Sequence, residues 1–177
     1  MLAILRENGE EEAMRLETLF SELNGFVIFN PEKLDSFQRQ HIGHCDILNP
    51  LTQGELGEVV VAEGIAIPIV GVEPDDYGFV VRAARGYLAS VAIESTGWIF
   101  NSSGCLSVCG IGYLLDFDMD RLQRGKRVLT FKVPEGWLEI DIFAGVNEAG
   151  AGVFEIVFNP VPEKPRLNGD VSTNYVF

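Results

Sequence analysis

Hydrophobic residues follow two different spacings along the chain, and the change falls near residue 65. Before that point, apolar residues recur at the three- and four-residue spacing of one helical face: Ala13, Leu16, Leu19, Phe20 and Leu23. Asn24 and Gly25 then supply a stop signal. The pattern predicts an amphipathic helix from about residue 9 to residue 24.

Shorter elements are expected between residues 26 and 64. The apolar run 26–29 is typical of a strand. Asn30 and the proline that follows it match an N-cap and a first helical position, which predicts a helix to about Gln40. A further helix is expected from Thr52 to Glu63, although the valines at 59–61 fit a strand nearly as well.

Short runs rich in β-branched and aromatic residues dominate the chain from residue 65 onward. Clusters of Gly, Pro, Asn and Asp, which are typical of turns, separate them. The predicted strands are 65–72, 79–84, 87–94, 98–100, 105–111, 113–118, 128–133, 137–143 and 153–158. Strands at this spacing favour a sandwich or barrel. We therefore predict an α+β fold in one compact domain, with a helical N-terminal third (1–64) packed on a mainly antiparallel β-sandwich (65–177).

The composition limits the classes of partner. The chain has 177 residues, with 13 Lys and Arg against 26 Asp and Glu, and a formal charge of -13. Nucleic-acid backbones and anionic membranes repel such a protein, so we expect neither as a partner. No apolar run approaches the roughly 20 residues needed to cross a bilayer. The first residues lack the basic start and apolar stretch of a secretory signal, which predicts a cytoplasmic protein.

The three cysteines are expected to be reduced. Cys105 and Cys109 lie four residues apart in a predicted strand, and this separates their Cα atoms by about 13 Å. That distance exceeds the limit of roughly 7 Å for a disulfide. Both thiols are expected on one face of the strand, as small core residues.

A candidate metal site lies in the segment 41–46, which holds both histidines of the chain. Imidazole and carboxylate groups are common zinc ligands, so His41, His44 and Asp46 form a candidate ligand set. The alternative is a polar loop after a helix, with His41 near the last helical carbonyls. The residues predict no cofactor.

A second cluster of candidate residues comprises Asp116, Asp118 and Asp120. The spacing begins like a calcium loop, but Arg121 and Arg127 occupy the positions where an EF-hand needs Gly and Glu. In a strand, alternation places the three aspartates on one face. That face is expected to be either solvated or an acidic stripe that contacts a basic partner. Five bases follow within twelve residues, and we expect them to neutralise the aspartates.

Residues 128–140 are typical of a β-hairpin, with a Pro-x-Gly turn from Pro134 to Gly136. This hairpin resembles the one near the end of the competence protein J family, whose members inhibit a DNA-entry nuclease. The resemblance implies a small acidic β-protein that neutralises a nuclease. The broader type is the immunity protein that bacteria keep in the cytosol against a toxin.

Charge and resemblance together favour a non-enzymatic protein that binds a basic protein partner, such as a toxin or a nuclease. Carboxylates in loops and on strand faces would supply contacts, together with an aromatic anchor. The candidate contact residues are Asp75, Asp76, Tyr77, Asp116, Asp118 and Asp120. Trp98 and Trp137 are either further anchors or core residues.

Two other functions are compatible with the residues. A metal-dependent enzyme or binding module would use His41, His44 and Asp46. A carbohydrate-binding β-sandwich rests on fold analogy alone. The sequence leaves the oligomeric state open.

Overall fold

Residues 16–177 are described by the structure, a computed structural model of the chain. They contain nine strands in two sheets. The strands are β1 (Thr18–Phe20), β2 (Gly25–Phe29), β3 (Ala66–Val70), β4 (Asp76–Arg82), β5 (Ser90–Ser102), β6 (Cys105–Gly110), β7 (Val128–Lys132), β8 (Gly136–Val146) and β9 (Gly152–Val161). The sheets have the orders β1-β4-β9-β8-β5 and β3-β2-β6-β7. Neighbouring strands are antiparallel except β4 and β9, which are parallel.

The helical elements of the described chain are short. The α-helices are α1 (Pro31–Phe37), α2 (Leu48–Gln53), α3 (Leu56–Ala62) and α4 (Met119–Arg124). Two 3-10 turns, Glu22–Asn24 and Ile111–Asp116, and one π turn, Gln38–Ile42, lie between them and the strands. Helices of this length are not stable alone, so they depend on packing against the sheets.

The main core lies between the two sheets. Phe154 of β9 is at its centre, with ring centroids 5.7 Å from Phe26 of β2, 5.5 Å from Tyr77 and 5.4 Å from Phe79 of β4. Aromatic pairs at these distances add to the stabilisation that burial of their surface provides. The four rings therefore hold the two sheets against each other.

A second core lies between the four-stranded sheet and the helices. Val27 and Phe29 of β2 point away from the main core and share a buried cluster with Leu34 and Phe37 of α1. Phe29 also contacts Phe117, with ring centroids 5.7 Å apart. β2 is therefore buried on both faces, and the fold has three layers: sheet, sheet and helices.

Asn30 links the helical layer to the sheets. Its side-chain oxygen accepts hydrogen bonds from the backbone N–H groups of Glu32 and Lys33, at 3.1 and 3.2 Å, and so caps α1. Its Nδ2 donates to the backbone oxygen of Asn101 at 2.7 Å and to Ser103 Oγ at 3.0 Å. The predicted N-cap is confirmed, and the same side chain fixes α1 to the connection between β5 and β6, where the chain passes from one sheet to the other.

The predicted α+β fold, with a helical N-terminal third on a β-sandwich, is wrong. The described residues are 41% strand and 25% helix, and the helices are scattered along the chain. β1 and β2 lie within the first third, and β2 occupies the place between β3 and β6 in its sheet. α4 lies far beyond residue 65. Pairing between distant strands decides these segments, and local apolar spacing does not carry that information.

The predicted helix over residues 9–24 is wrong where it can be compared with the structure, and residues 9–15 lie outside the described part. From Thr18 onward the chain forms β1 and then a 3-10 turn. Within β1 only Leu19 is buried, because strand alternation turns its two neighbours the other way. Antiparallel pairing with β4 provides the backbone hydrogen bonds that a helix would otherwise make.

The other predicted elements differ in how well they match. The strand over 26–29 and the helix that follows it are confirmed. The predicted strand over 113–118 is a 3-10 turn instead. The predicted strands 87–94 and 98–100 both belong to β5, which continues through a bulge at Gly97. The φ of Gly97 is 80°, a conformation that glycine adopts without strain.

A buried carboxylate fastens the loop between β4 and β5 to the sheet. Glu155 of β9 is fully buried, and its Oε1 accepts hydrogen bonds from the backbone N–H groups of Gly86 and Tyr87 at 2.8 and 2.9 Å. Arg82 Nη1 lies 3.8 Å from the same oxygen. Oε2 has no hydrogen-bond partner within residues 16–177. Since a buried charge is costly unless it is paired, these contacts are needed to keep Glu155 in the sheet.

We expect Glu155→Ala to lower the free energy of unfolding by about 2–4 kcal/mol, because it leaves two N–H donors without an acceptor and removes buried volume. Glu155→Gln retains a side-chain oxygen as acceptor, so its loss should be smaller. Urea unfolding followed by circular dichroism measures both variants. Equal unfolding midpoints for the wild type and Glu155→Ala would contradict this role of the carboxylate.

The three thiols differ in burial. Cys45 is exposed, Cys105 is half-buried, and Cys109 is buried in the second core, between the four-stranded sheet and the helices. Burial raises the pKa of the Cys109 thiol to about 12, so this thiol stays protonated at neutral pH. We expect Ellman's reagent to modify Cys45 first and Cys105 more slowly, and to reach Cys109 only after unfolding in urea. A fast phase that persists in Cys45→Ser would show that the order is different.

Candidate functional site

One exposed corner of the molecule combines apolar side chains, charges of both signs and unusual backbone angles. We call it the Phe20 corner, and it consists of residues 20–24, the turn 73–76, Tyr113, Lys126 and Arg127. Phe20 lies opposite Asp76 in the β1–β4 register. Part of the corner is a cleft of about 90 Å³, lined by side chains from all of these segments. Its volume corresponds to about three water molecules, so it suits a single side chain of a partner.

Ser21 fixes the first two segments of the Phe20 corner to each other. Its side chain is buried, and its Oγ donates to the backbone oxygen of Glu73 at 2.7 Å. The same Oγ accepts a hydrogen bond from the Asp75 N–H at 3.3 Å, and the Ser21 N–H donates to the Asp75 oxygen at 3.1 Å. These bonds hold the acidic turn beside Phe20.

Three non-glycine residues of the described chain have a positive φ, and all three belong to the Phe20 corner. The angles are 51° at Leu23, 56° at Asn24 and 53° at Lys126. Asn adopts the left-handed conformation readily, whereas Leu and Lys do so at a cost of about 1–2 kcal/mol each. Strained backbone of this kind is concentrated at functional sites. The angles therefore mark this corner as a candidate site.

Two apolar side chains of the corner face solvent. Phe20 is 44% exposed, and Leu23 is 61% exposed, which makes it the most exposed large apolar residue of the described chain. Isolated apolar residues are common on protein surfaces. Here Phe20 ends β1 and Leu23 lies on the strained connection to β2, so two exposed apolar side chains, which we call the apolar patch, lie three residues apart in the chain.

A tyrosine connects the acidic and basic parts of the corner. The Tyr113 hydroxyl donates to Glu22 Oε1 at 3.3 Å. Burial raises the pKa of Tyr113; nearby Arg127 opposes this rise, and Glu22 adds to it. Tyr113 is therefore a neutral hydrogen-bond donor between a carboxylate and a guanidinium group at neutral pH.

The residues predicted near this corner have different positions. Asp75 and Asp76 are exposed and belong to it. Tyr77 is only 5% exposed, and its ring meets Phe26 edge-on with centroids 6.0 Å apart. The Tyr77 side chain therefore belongs to the main core and offers no exposed anchor to a partner.

The predicted acidic stripe of Asp116, Asp118 and Asp120 does not lie on a strand. Asp116 ends a 3-10 turn, and Asp118 caps α4 by accepting a hydrogen bond from the Arg121 N–H at 3.0 Å. Asp120 lies in the first turn of α4. Arg121 Nη1 donates to Asp116 Oδ2 at 2.7 Å, and its Nη2 donates to the backbone oxygen of Asp116. Arg121 thus neutralises Asp116, but the other four bases of the predicted group form no ion pair within the described residues.

The candidate metal ligands in segment 41–46 do not converge on one point. The His41 ring packs against Phe37, with centroids 4.5 Å apart and ring planes inclined by 37°. Both carboxylate oxygens of Asp46 are occupied, because Asn49 donates to them from its backbone N–H at 3.1 Å and its Nδ2 at 2.6 Å. His44 is exposed. Within residues 16–177, no group of three or more His, Cys, Asp or Glu side chains is arranged to hold a metal ion.

The structure nevertheless brings the two predicted clusters next to each other. The Phe117 N–H donates to the backbone oxygen of Cys45 at 2.9 Å, and the Ile47 N–H donates to that of Leu114 at 2.8 Å. The turn that ends at Asp116 therefore lies directly beside the loop that holds both histidines. This region lies apart from the lining of the Phe20 cleft.

The two tryptophans have different surroundings. Trp98 is fully buried, and its Nε1 donates to Ser95 Oγ at 2.9 Å. Trp137 is half-buried, and Lys164 Nζ lies 5.5 Å from its ring centroid. Trp98 is therefore a core residue, whereas Trp137 is partly covered by a cation.

Sequence reasoning missed Phe20, Leu23 and Lys126. The helical spacing assigns Phe20 and Leu23 to a buried face, although both are exposed. The available signal is the Asn24-Gly25 pair, which marks a turn directly after Leu23.

Comparisons with known proteins identify no family for this chain. No family model and no curated protein matches the chain. A solved structure described as "Crocagin biosynthetic gene J" is similar to it, with a TM-score of 0.46 and 10% identity over 80% of this chain and 94% of that chain. No helix among residues 16–177 has the length and apolarity that a membrane crossing requires.

The predicted resemblance to the competence protein J family and to immunity proteins is wrong. No family model of that kind matches, and the similar solved structure carries a different description. The predicted hairpin over residues 128–140 is also wrong, because β7 pairs with β6 in one sheet whereas β8 pairs with β5 and β9 in the other. A Pro-x-Gly turn reverses the chain for local conformational reasons, so it identifies neither a strand pairing nor a family.

We expect the carboxyl of Asp116 to titrate below its ordinary pKa of 3.8, because the hydrogen bond from Arg121 is the largest influence on it. The lowered pKa means that the ion pair stabilises the fold above the ordinary value and is lost as the pH falls through the folded value. Carbon-detected NMR titration measures this pKa. Arg121→Gln should return it toward 3.8, whereas Arg124→Gln should not. An unchanged Asp116 titration in Arg121→Gln would contradict the assignment.

Proposed function

We propose that this protein acts by binding a basic protein partner at the Phe20 corner, without catalysing a reaction. The observation that carries the proposal is the coincidence of exposed apolar side chains and strained backbone at one place. A few buried anchors supply most of the energy in protein interfaces, and aromatic residues are prominent among them. Phe20 is the central anchor in this proposal, and Leu23 extends the apolar patch beside it.

The carboxylates of the acidic turn support a basic partner. Glu73, Asp75 and Asp76 are all exposed. Within the described residues, no Lys or Arg nitrogen lies within 4.0 Å of their carboxylate oxygens. Because no base of the described residues pairs with them, these carboxylates can attract and orient a basic surface. The overall charge of -13 acts in the same direction during the encounter.

The acidic residues between positions 54 and 76 fall into two separate groups. Glu55, Glu58 and Glu63 lie on or beside α3, before β3 begins. The turn 73–76 lies beyond the other end of β3, a strand about 17 Å long. Val59 on α3 is also exposed, but the second group has two exposed apolar residues, Phe20 and Leu23, on either side of Ser21, whose hydrogen bonds hold the acidic turn; this favours the Phe20 corner over α3.

This surface supports a sign for the partner's charge and does not identify the partner. Nucleases and other toxins that act on phosphate groups are typically basic, so they form one class of partner with the required sign. In such a complex, basic side chains would face the turn 73–76, and an apolar pocket would receive Phe20.

We expect Leu23→Asn to weaken partner binding by about tenfold or more, because it removes an exposed apolar anchor. The same substitution should leave the free energy of unfolding unchanged or raise it, since Asn adopts a positive φ at lower cost than Leu. The partner is first captured from an extract of the source organism with the tagged wild type. Calorimetry then gives the affinity of each variant, and urea unfolding gives its stability.

Val171→Asn is the matched control, because Val171 is 57% exposed and lies outside the Phe20 corner. This variant should bind like the wild type. Equal weakening by Val171→Asn and Leu23→Asn would contradict the location of the site. Failure to capture any specific protein, at both low and moderate salt, would contradict the proposed function itself.

A further inference from the structure

The outer edge of β7 carries backbone donors that point away from the sheet. β7 ends the four-stranded sheet, and within residues 16–177 only β6 pairs with it. The Val133 N–H donates to the Gly104 oxygen at 3.2 Å, which makes these two residues a hydrogen-bonded pair. Hydrogen-bonded and non-hydrogen-bonded pairs alternate along an antiparallel ladder. Counting back from Val133, the N–H groups of Val128, Thr130 and Lys132 point outward.

A side-chain contact supports this assignment of the β7 ladder. Ser107 lies opposite Thr130 in the β6–β7 register, and their hydroxyl oxygens are 2.8 Å apart. Side chains approach each other most closely in non-hydrogen-bonded pairs. Thr130 therefore directs its side chain toward Ser107 and its backbone N–H toward the free edge.

Exposed bases flank this edge at both ends. Arg124, Lys126 and Arg127 precede β7, and Lys132 ends it. No carboxylate of the described residues lies within 4.0 Å of their charged nitrogens. In a protein with a charge of -13, this is a local surface of opposite sign. The bases predicted to neutralise the neighbouring aspartates are thus mostly available to another molecule.

We propose that the β7 edge binds an acidic, extended segment of a partner protein, which adds as a further strand to the four-stranded sheet. The outward N–H groups supply the hydrogen bonds of strand addition. The bases at the two ends of the edge, about 17 Å apart, supply the charge complementarity. This interaction goes beyond the proposed function: it uses the backbone of β7 and the bases beside it, Lys126 and Arg127 of the corner included, whereas the proposed contacts with a basic partner come from Phe20, Leu23 and the turn 73–76.

The two faces of β7 define the side chains that suit such a segment. Leu129 and Phe131 are half-buried and pack against the main core, whereas Thr130 and Lys132 lie on the other face. An added strand continues these faces. Its favoured sequence therefore alternates apolar residues beside Leu129 and Phe131 with acidic residues beside Lys132.

The test uses the full chain and a fluorescein-labelled peptide of alternating Glu and Val, about ten residues long. Fluorescence anisotropy measures its affinity for the wild type, Thr130→Pro and Thr130→Val. Proline removes the outward N–H of residue 130 and is tolerated where that group faces solvent. Valine retains the N–H and removes the hydroxyl, so it controls for loss of the contact with Ser107. We expect Thr130→Val to bind within about twofold of the wild type, and Thr130→Pro to bind about tenfold more weakly.

A second pair of variants applies if Thr130→Pro does not fold. Lys132→Glu and Lys126→Glu reverse charges on exposed side chains. Each should weaken binding of the peptide by about tenfold and reduce the salt dependence of that binding.

Equal affinity of Thr130→Pro and Thr130→Val for the peptide would overturn strand addition. So would an oligothymidylate of equal charge that binds as tightly as the peptide, because the edge would then be a general anion site. Absence of peptide binding would overturn the proposal and leave the bases as guards against edge-to-edge aggregation.

Discussion

The packing of Phe154 against Phe26 and Tyr77 is the interaction on which the other features of the structure depend. It joins β9 and β4 of one sheet to β2 of the other. Because Tyr77 points into the core, strand alternation turns Asp76 outward, and Phe20 on the opposite strand is turned outward with it. The exposed corner is thus a consequence of where the aromatic rings are buried. Phe177 meets both Tyr77 and Phe154, so the end of the chain covers the same cluster.

The Phe20 corner is less favourable to stability than the rest of the surface. Leu23 has a left-handed backbone conformation and an exposed apolar side chain, and neither contributes to the core. The hydrogen bonds of Ser21 hold the adjacent turn in place. A folded domain of this size has a net stability of only about 5–15 kcal/mol, so backbone strain of about 1–2 kcal/mol at an exposed residue is a considerable cost, and such strain is concentrated at functional sites. Carboxylates lie on the β1–β4 side of the corner and bases on the α4–β7 side, which gives two neighbouring surfaces of opposite sign.

The sequence pattern correctly predicts those helices and strands whose formation depends on neighbouring residues in the chain. Runs rich in β-branched and aromatic residues predict β6, β7, β8 and β9, and the side chain of Asn30 predicts where α1 begins. The pattern was not sufficient for β1, because Leu19 and Phe20 fit a helical face equally well and only their pairing with the distant β4 makes them a strand. The candidate site likewise has residues that the sequence predicts and residues that it does not. Asp75 and Asp76 could be predicted from a turn signal, whereas the exposure of Phe20 depends on its register opposite Asp76.

We propose the Phe20 corner as the surface by which this protein binds its partner. Hydrogen–deuterium exchange, measured by mass spectrometry on the chain alone and in complex with the captured partner, locates that surface. We predict slower exchange in the complex at residues 20–24 and 73–76, with α2 and α3 unchanged. Slower exchange confined to other surfaces, with the corner exchanging as it does in the free chain, would contradict it.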